Sequence, residues 1–193
     1  TTELASGYPV LDDAEGWGRL NLFAAADDYG AFNGNVIVSM DATQGGFNAA
    51  DTWRNAISGA GKLTLQGTGR LRLAGANTYT GGTQVASGVL EADSANAFGT
   101  GDVYVGAGTL AINAPAAVAI AGKFTQLQGT TLDLAIGPNG QGKLSVAGLT
   151  TIAGGTLHLK FVNGYTPKVG DTIAVVDGAG SNRQFSTVVV DGF

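Results

Sequence analysis

The sequence contains no cysteine. A disulfide framework, a thiolate zinc site and a thiol nucleophile are therefore excluded. That absence suits a chain that crosses a membrane unfolded, and it also suits a cytosolic one. Histidine occurs once, at His158, so no site that needs two imidazoles can be assembled, and no Ser-His-Asp triad can form without it. Proline is scarce, at 4 residues against 32 glycines, which rules out collagen-like and Pro-Gly low-complexity tracts. Charged residues make up 13% of the chain, 10 basic against 15 acidic, for a net charge of −5. An acidic chain without a basic stripe lacks the electrostatic footprint of nucleic-acid binding. Its nearest basic pair, Arg70 and Arg72, reads as a solvated strand face. No apolar run is long enough for a membrane-spanning helix, since Ala114–Ala121 is mostly alanine and is broken by Pro115. The chain opens on Thr1 without a leader and reads as a piece of something longer.

What is present is a glycine-punctuated grammar of short alternating segments. A Gly-x-Leu unit begins GKLTL at Gly61, GRLRL at Gly69, GVLEA at Gly88 and GTLAI at Gly108, the last three spaced 19 and 20 residues apart. A period near twenty, carried by short strands and glycine turns, predicts a solenoid. Alternation places Leu63, Leu65, Leu71, Leu73, Leu90 and Leu110 on the inner face, with Lys62, Thr64, Arg70 and Arg72 opposite. Strands are predicted at Val36–Met40, Lys62–Gln66, Arg70–Ala74, Thr83–Val85, Val89–Ala92, Val103–Val105, Thr109–Asn113, Thr131–Ile136, Lys143–Val146, Thr150–Ile152, Thr156–Phe161, Thr172–Val176 and Thr187–Val190. The middle of GGFNAADTWRNAIS fits helix or strand. A β-sandwich of hairpins is the alternative all-β reading, but Asn-Gly and Asp-Gly hairpin signals hardly occur at hairpin spacing. Residues 1–30 differ: a loop, then a short helix over about Arg19–Ala26 behind Gly16-Trp17-Gly18. The expected division is 1–30 as the tail or linker of an upstream domain and 31–193 as the solenoid.

The segment GAGKLTLQGTGRLRLAGANTYTGGTQVASGVLEAD resembles the passenger-associated transport repeat of bacterial autotransporters. The motif positions are Gly67, Gly69, Leu71, Leu73, Gly75, Asn77, Tyr79, Gly81, Gly82, Thr83, Gly88 and Leu90. The tail, Tyr165-x-Pro167 with Gly170-Asp171-Thr172 and Phe185, is similar to the last part of such passengers. This resemblance implies a right-handed parallel β-helix stem on the bacterial cell surface, or secreted after periplasmic transit. It implies two partners in the same polypeptide: a C-terminal outer-membrane β-barrel, which this stretch does not contain, and an upstream catalytic domain. YPVLDDAEGWGRLNLFAAADDYGAF looks like the junction after a PAP2-type acid phosphatase domain, and a similar turn and helix close subtilisin-like protease domains. In either case the enzyme lies outside this chain, and the segment itself is expected to be non-catalytic and without a cofactor or metal. The rival reading is an adhesin or glycan-binding module.

Each candidate site has a plainer structural reading beside the functional one. His158, between Leu157 and Leu159, is read as an outward surface histidine beside Lys160. Asp12, Asp13 and Glu15 have oxygen ligands for a cation, yet they also flank the N-terminal side of the predicted helix. Asp27 and Asp28 are read as solvated. Gly99-Thr100-Gly101-Asp102 resembles a calcium-binding nonapeptide turn but occurs once. The glycine turns at Gly59 and Gly140 precede strands and lack phosphate-loop spacing. Trp17, Trp53, Tyr79, Tyr104 and Tyr165 make a carbohydrate platform only if several share one exposed face; core packing is the alternative. A terminal coil exposes an unpaired edge that invites self-association.

Overall fold

The computed structural model describes residues 4–5, 8–9, 28–138 and 141–191. Near the N-terminus, β1 (Leu4–Ala5) and β2 (Tyr8–Pro9) pair antiparallel, Leu4 opposite Pro9, in a stretch expected to be loop. The predicted helix at Arg19–Ala26, Trp17 and the acidic group Asp12, Asp13 and Glu15 lie outside the described residues.

From Val36 onward the chain is an all-β parallel solenoid. One sheet, 8-stranded, takes β3 (Val36–Met40), β5 (Leu63–Gly67), β7 (Thr83–Val85), β9 (Val103–Val105), β11 (Val118–Ile120), β12 (Phe124–Gln126), β14 (Leu144–Ala153) and β16 (Val176–Gln184). The other, 7-stranded, takes β4 (Ala50–Trp53), β6 (Arg70–Leu73), β8 (Val89–Ala92), β10 (Thr109–Ile112), β13 (Thr131–Ile136), β15 (Thr156–Phe161) and β17 (Thr187–Asp191). Each coil contributes to both sheets, then crosses a third, irregular side to the next coil. Among the described residues this gives seven coils, the first built on β3 and β4 and the last on β16 and β17.

The register explains the sequence period. In the second sheet Leu71 lies beside Leu90, Leu90 beside Leu110, Leu110 beside Leu132 and Leu132 beside Leu157. These five leucines form one inward ladder, all buried. A neighbouring ladder runs Trp53, Leu73, Ala92, Ile112 and Leu134. Coils of 19 to 25 residues hold these ladders straight because every rung returns its inner residue to the same place. Alternation continues beyond β6 onto the third side, where Gly75, Asn77 and Tyr79 are buried while Ala76, Thr78 and Thr80 are exposed. Phe32 caps the first coil's interior, with ring centroids 5.0 Å from Tyr79 and 6.3 Å from Trp53.

Three predicted details differ, and one open reading is settled. β11 and β12 form in a stretch too rich in alanine to show period two, because Val118, Ile120 and Phe124 suffice to fill the core rows. The two strands foreseen at Lys143–Val146 and Thr150–Ile152 are one, β14, running through Gly148 because it pairs with β11 along its first half and β12 along its second. The strand expected at Thr172–Val176 is absent; β16 starts at Val176 and runs through polar, glycine-rich sequence. Pairing with β14 imposes that extension, at the expense of register shifts on either side of Leu149. The ambiguous segment resolves as a one-turn helix, α1 (Gly46–Ala49), leading into β4. At the C-terminal end, Val188 and Val190 continue the two leucine ladders yet are 58% and 41% exposed.

Candidate functional site

The motif residues meet at the corner where one coil passes to the next. Gly67 and Gly69 bracket the turn between β5 and β6, Leu71 and Leu73 fill the core beneath β6, and Gly88 and Leu90 open β8 one coil later. On the third side, Gly75 passes so close to the preceding coil that a Cβ there falls 1.8 Å from the Asn55 carbonyl oxygen. Gly82, with φ of +89°, takes the left-handed turn into β7.

Asn77 is the centre of this corner. Its Oδ1 accepts the Ile57 backbone N–H at 2.9 Å, and its Nδ2 donates to the Ala97 carbonyl at 2.6 Å. Ile57 lies one coil before and Ala97 one coil after, each 20 residues away. One buried side chain thus ties three consecutive coils, beside backbone bonds from Thr78 N–H to the Ile57 carbonyl at 2.8 Å and from Asn77 N–H to the Asn96 carbonyl at 3.1 Å. Tyr79 fills the adjacent space: fully buried, it donates from Oη to Thr83 Oγ1 at 2.6 Å, and Thr83 donates on to the Phe98 carbonyl at 3.1 Å. Tyr79 is therefore core and not part of a glycan platform.

Burial pushes the Tyr79 phenol well above the usual tyrosine value, partly offset by its bond to Thr83. The folded chain keeps that proton while the unfolded chain releases it above about pH 10. The stabilisation is complete below that pH and is lost at about 1.4 kcal/mol per pH unit as pH rises beyond it. Urea titrations between pH 9 and 12 are expected to show this slope in the parent chain and a shallower one in Tyr79→Phe.

The outer face of the second sheet is more structured than a solvated strand face. Glu91 points outward yet its side chain is only 3% exposed, because Arg70 and Arg72 lie over it. Arg70 Nη1 is bonded to Oε2, Arg72 Nη2 lies 3.1 Å from Oε1, and Asn113 Nδ2 donates to Oε1 at 3.3 Å. Sequence reading missed this cluster, although the signal was there: Glu91 follows Arg72 by 19 residues, one repeat. Further along, Asp133 takes Lys160 Nζ at 2.6 Å and His158 Nδ1 at 3.6 Å, and His158 Nε2 lies 2.7 Å from Asp191. His158 faces outward as expected, held between carboxylates of the neighbouring coils. Between the two clusters runs an open trough of about 250 Å³ floored by Ala111 and Ala135.

Other candidates have structural employment. Asp28 is not simply solvated: its Oδ2 accepts the backbone N–H groups of Arg54 and Asn55, the latter at 3.0 Å. Asp102 Oδ1 accepts the Lys123 amide at 2.7 Å. Among the described residues no group of three His, Cys, Asp or Glu side chains could hold a metal. Trp53 is buried, Tyr165 half-buried, and Tyr104 sits on the first sheet away from the exposed Tyr29, so the described aromatics form no shared face.

Residues 63–92, the span from β5 through the Asn77 corner to β8, match the family model described as passenger-associated-transport-repeat. The transport repeat lies in a β-solenoid that resembles an autotransporter passenger domain. The chain is 33% identical over 192 residues to the adhesin BmaC autotransporter of Brucella suis, covering 86% of this chain and 5% of that protein. It is 32% identical over 142 residues to an extracellular serine protease of Serratia marcescens, covering 57% of this chain and 13% of that protein. The chain thus spans a small part of either relative. Neither is named as a phosphatase, and the proposed acid-phosphatase junction falls mostly outside the described residues. No solved structure matches the chain.

Proposed function

We propose that this chain is a non-catalytic stem of an autotransporter passenger. In this reading it folds outside the cell as the polypeptide emerges and holds an upstream domain away from the outer membrane. The observation that carries the reading is the uninterrupted parallel ladder through the transport repeat, tied coil to coil by Asn77. In a solenoid each coil's stability depends on its immediate neighbours, so a folded coil offers the next one a ready edge and an exposed apolar row. Folding of each coil then opposes backsliding of the exported chain. A region shared by an adhesin and a serine protease suits a common stem better than either protein's particular activity. The partners in this arrangement are the outer-membrane β-barrel of the same polypeptide and the upstream domain. The exposed Val188 and Val190 rung is where further coils, or a second copy of the chain, stack.

The test places the 193-residue chain between a reporter enzyme and an autotransporter barrel in a Gram-negative host. Surface reporter, measured by accessibility to added protease, is expected to fall about tenfold when residues 63–92 are deleted or Leu90→Asp is introduced, with total reporter unchanged. Equal display from all three chains would overturn the stem reading.

A further inference from the structure

We infer that the outer-face trough is a binding site for an anionic oligosaccharide, one bearing uronate or sulfate groups. This goes beyond the stem reading and does not depend on it. The trough is built in two layers of opposite charge. Two of its carboxylates lie beneath: the side chains of Glu91 and Asp133 are 3% and 15% exposed, while Asp93, 3.9 Å from Arg72 Nη1 and 33% exposed, flanks the Arg72 end. Its cations lie above: those of Arg70, Arg72 and Lys160 are 45%, 40% and 42% exposed. The buried acids orient the cations, and each guanidinium, with five donors, retains N–H groups facing solvent. The lining holds three cations, Arg70, Arg72 and Lys160, over two buried carboxylates, so its solvent-facing groups favour negative charge by complementarity on a chain of net charge −5.

Shape and chemistry favour a saccharide over an acidic peptide. The floor is Ala111 and Ala135, with Asn113 at its side, and offers no deep apolar pocket to anchor a peptide side chain. The strands beneath it, β8, β10 and β13, are internal to the sheet, so no free backbone edge exists for strand addition. A hydroxyl-rich anionic chain needs only what is present: charge-assisted donors at both ends and a small-residue floor between. Arg72 is on the second coil and Lys160 on the sixth, so at about 4.8 Å per coil their strands lie about 19 Å apart. A ligand engaging both is a chain of linked rings.

The test is fluorescence anisotropy on the intact chain, with a labelled sulfated hexasaccharide and a labelled polygalacturonate hexamer as probes. At least one is expected to bind, more weakly as salt rises. The one that binds identifies the anionic group. Arg72→Gln and Lys160→Gln are each expected to weaken binding about tenfold, with Lys123→Gln, exposed and outside the trough, changing it less than about twofold. Ala135→Phe fills the floor without touching a charge and is expected to abolish binding while the melting temperature holds, which separates binding from folding. The proposal fails if neither hexasaccharide binds, if Lys123→Gln weakens binding as much as Lys160→Gln, if Ala135→Phe binds normally, or if an alternating Asp-Glu hexapeptide binds as tightly.

Discussion

Leu90→Asp is expected to leave the chain without a cooperative unfolding transition at 25 °C. Leu90 is fully buried and sits in register between Leu71 and Leu110 in an inward leucine ladder. Removing the leucine forfeits about 2–5 kcal/mol of burial and packing. The carboxyl group that replaces it has no partner on the inner face, where burying it costs several kcal/mol more as a charge and still about 1–3 kcal/mol as an unpartnered neutral acid. Together these approach the whole stability of an ordinary domain, about 5–15 kcal/mol. Leu90→Ala isolates the first contribution and is expected to keep a transition lowered by about 2–5 kcal/mol. A circular-dichroism urea titration distinguishes these cases. A normal midpoint for Leu90→Asp contradicts the register.

The second large effect is expected at Asn77. Asn77→Ala deletes two buried bonds and leaves the Ile57 N–H and the Ala97 carbonyl without their partner. At about 1–3 kcal/mol for each stranded group, the loss is about 2–6 kcal/mol. Asn77→Asp keeps the acceptor for Ile57 but turns a carboxylate toward the Ala97 carbonyl, and is expected to destabilise at least as much. Thr78→Ala, one residue along and exposed, is expected to stay within about 0.5 kcal/mol of the parent. Hydrogen exchange adds a sharper readout: protection at the Ile57 amide is expected to fall first in Asn77→Ala. Unchanged protection there would show that the corner is held by the backbone bonds alone.

These two residues illustrate how differently the parts of this fold are written in the chain. The leucine ladders are legible because a strand's period of two and a coil's period near twenty are both properties of spacing, and spacing is what a sequence displays. Val36–Met40, Thr83–Val85, Val89–Ala92 and Thr156–Phe161 accordingly form at the expected bounds. Where side chains carry little pattern, expectation fails. β11 and β12 form within alanine-rich sequence, and β16 extends through glycine and polar residues because β14 offers it an edge.

By itself the sequence determined an all-β solenoid and the inward leucine rows, since both follow from local alternation and a regular return. Only the tertiary structure decided what the returns bring together. Asn77 became a three-coil tie because Ile57 and Ala97 arrive beside it from 20 residues away on either side. Arg70 and Arg72 became the cover of a buried carboxylate, because stacking places Glu91 one rung above Arg72. Burial and charge pairing belong to neighbours across coils, and those neighbours exist only once the coils have stacked.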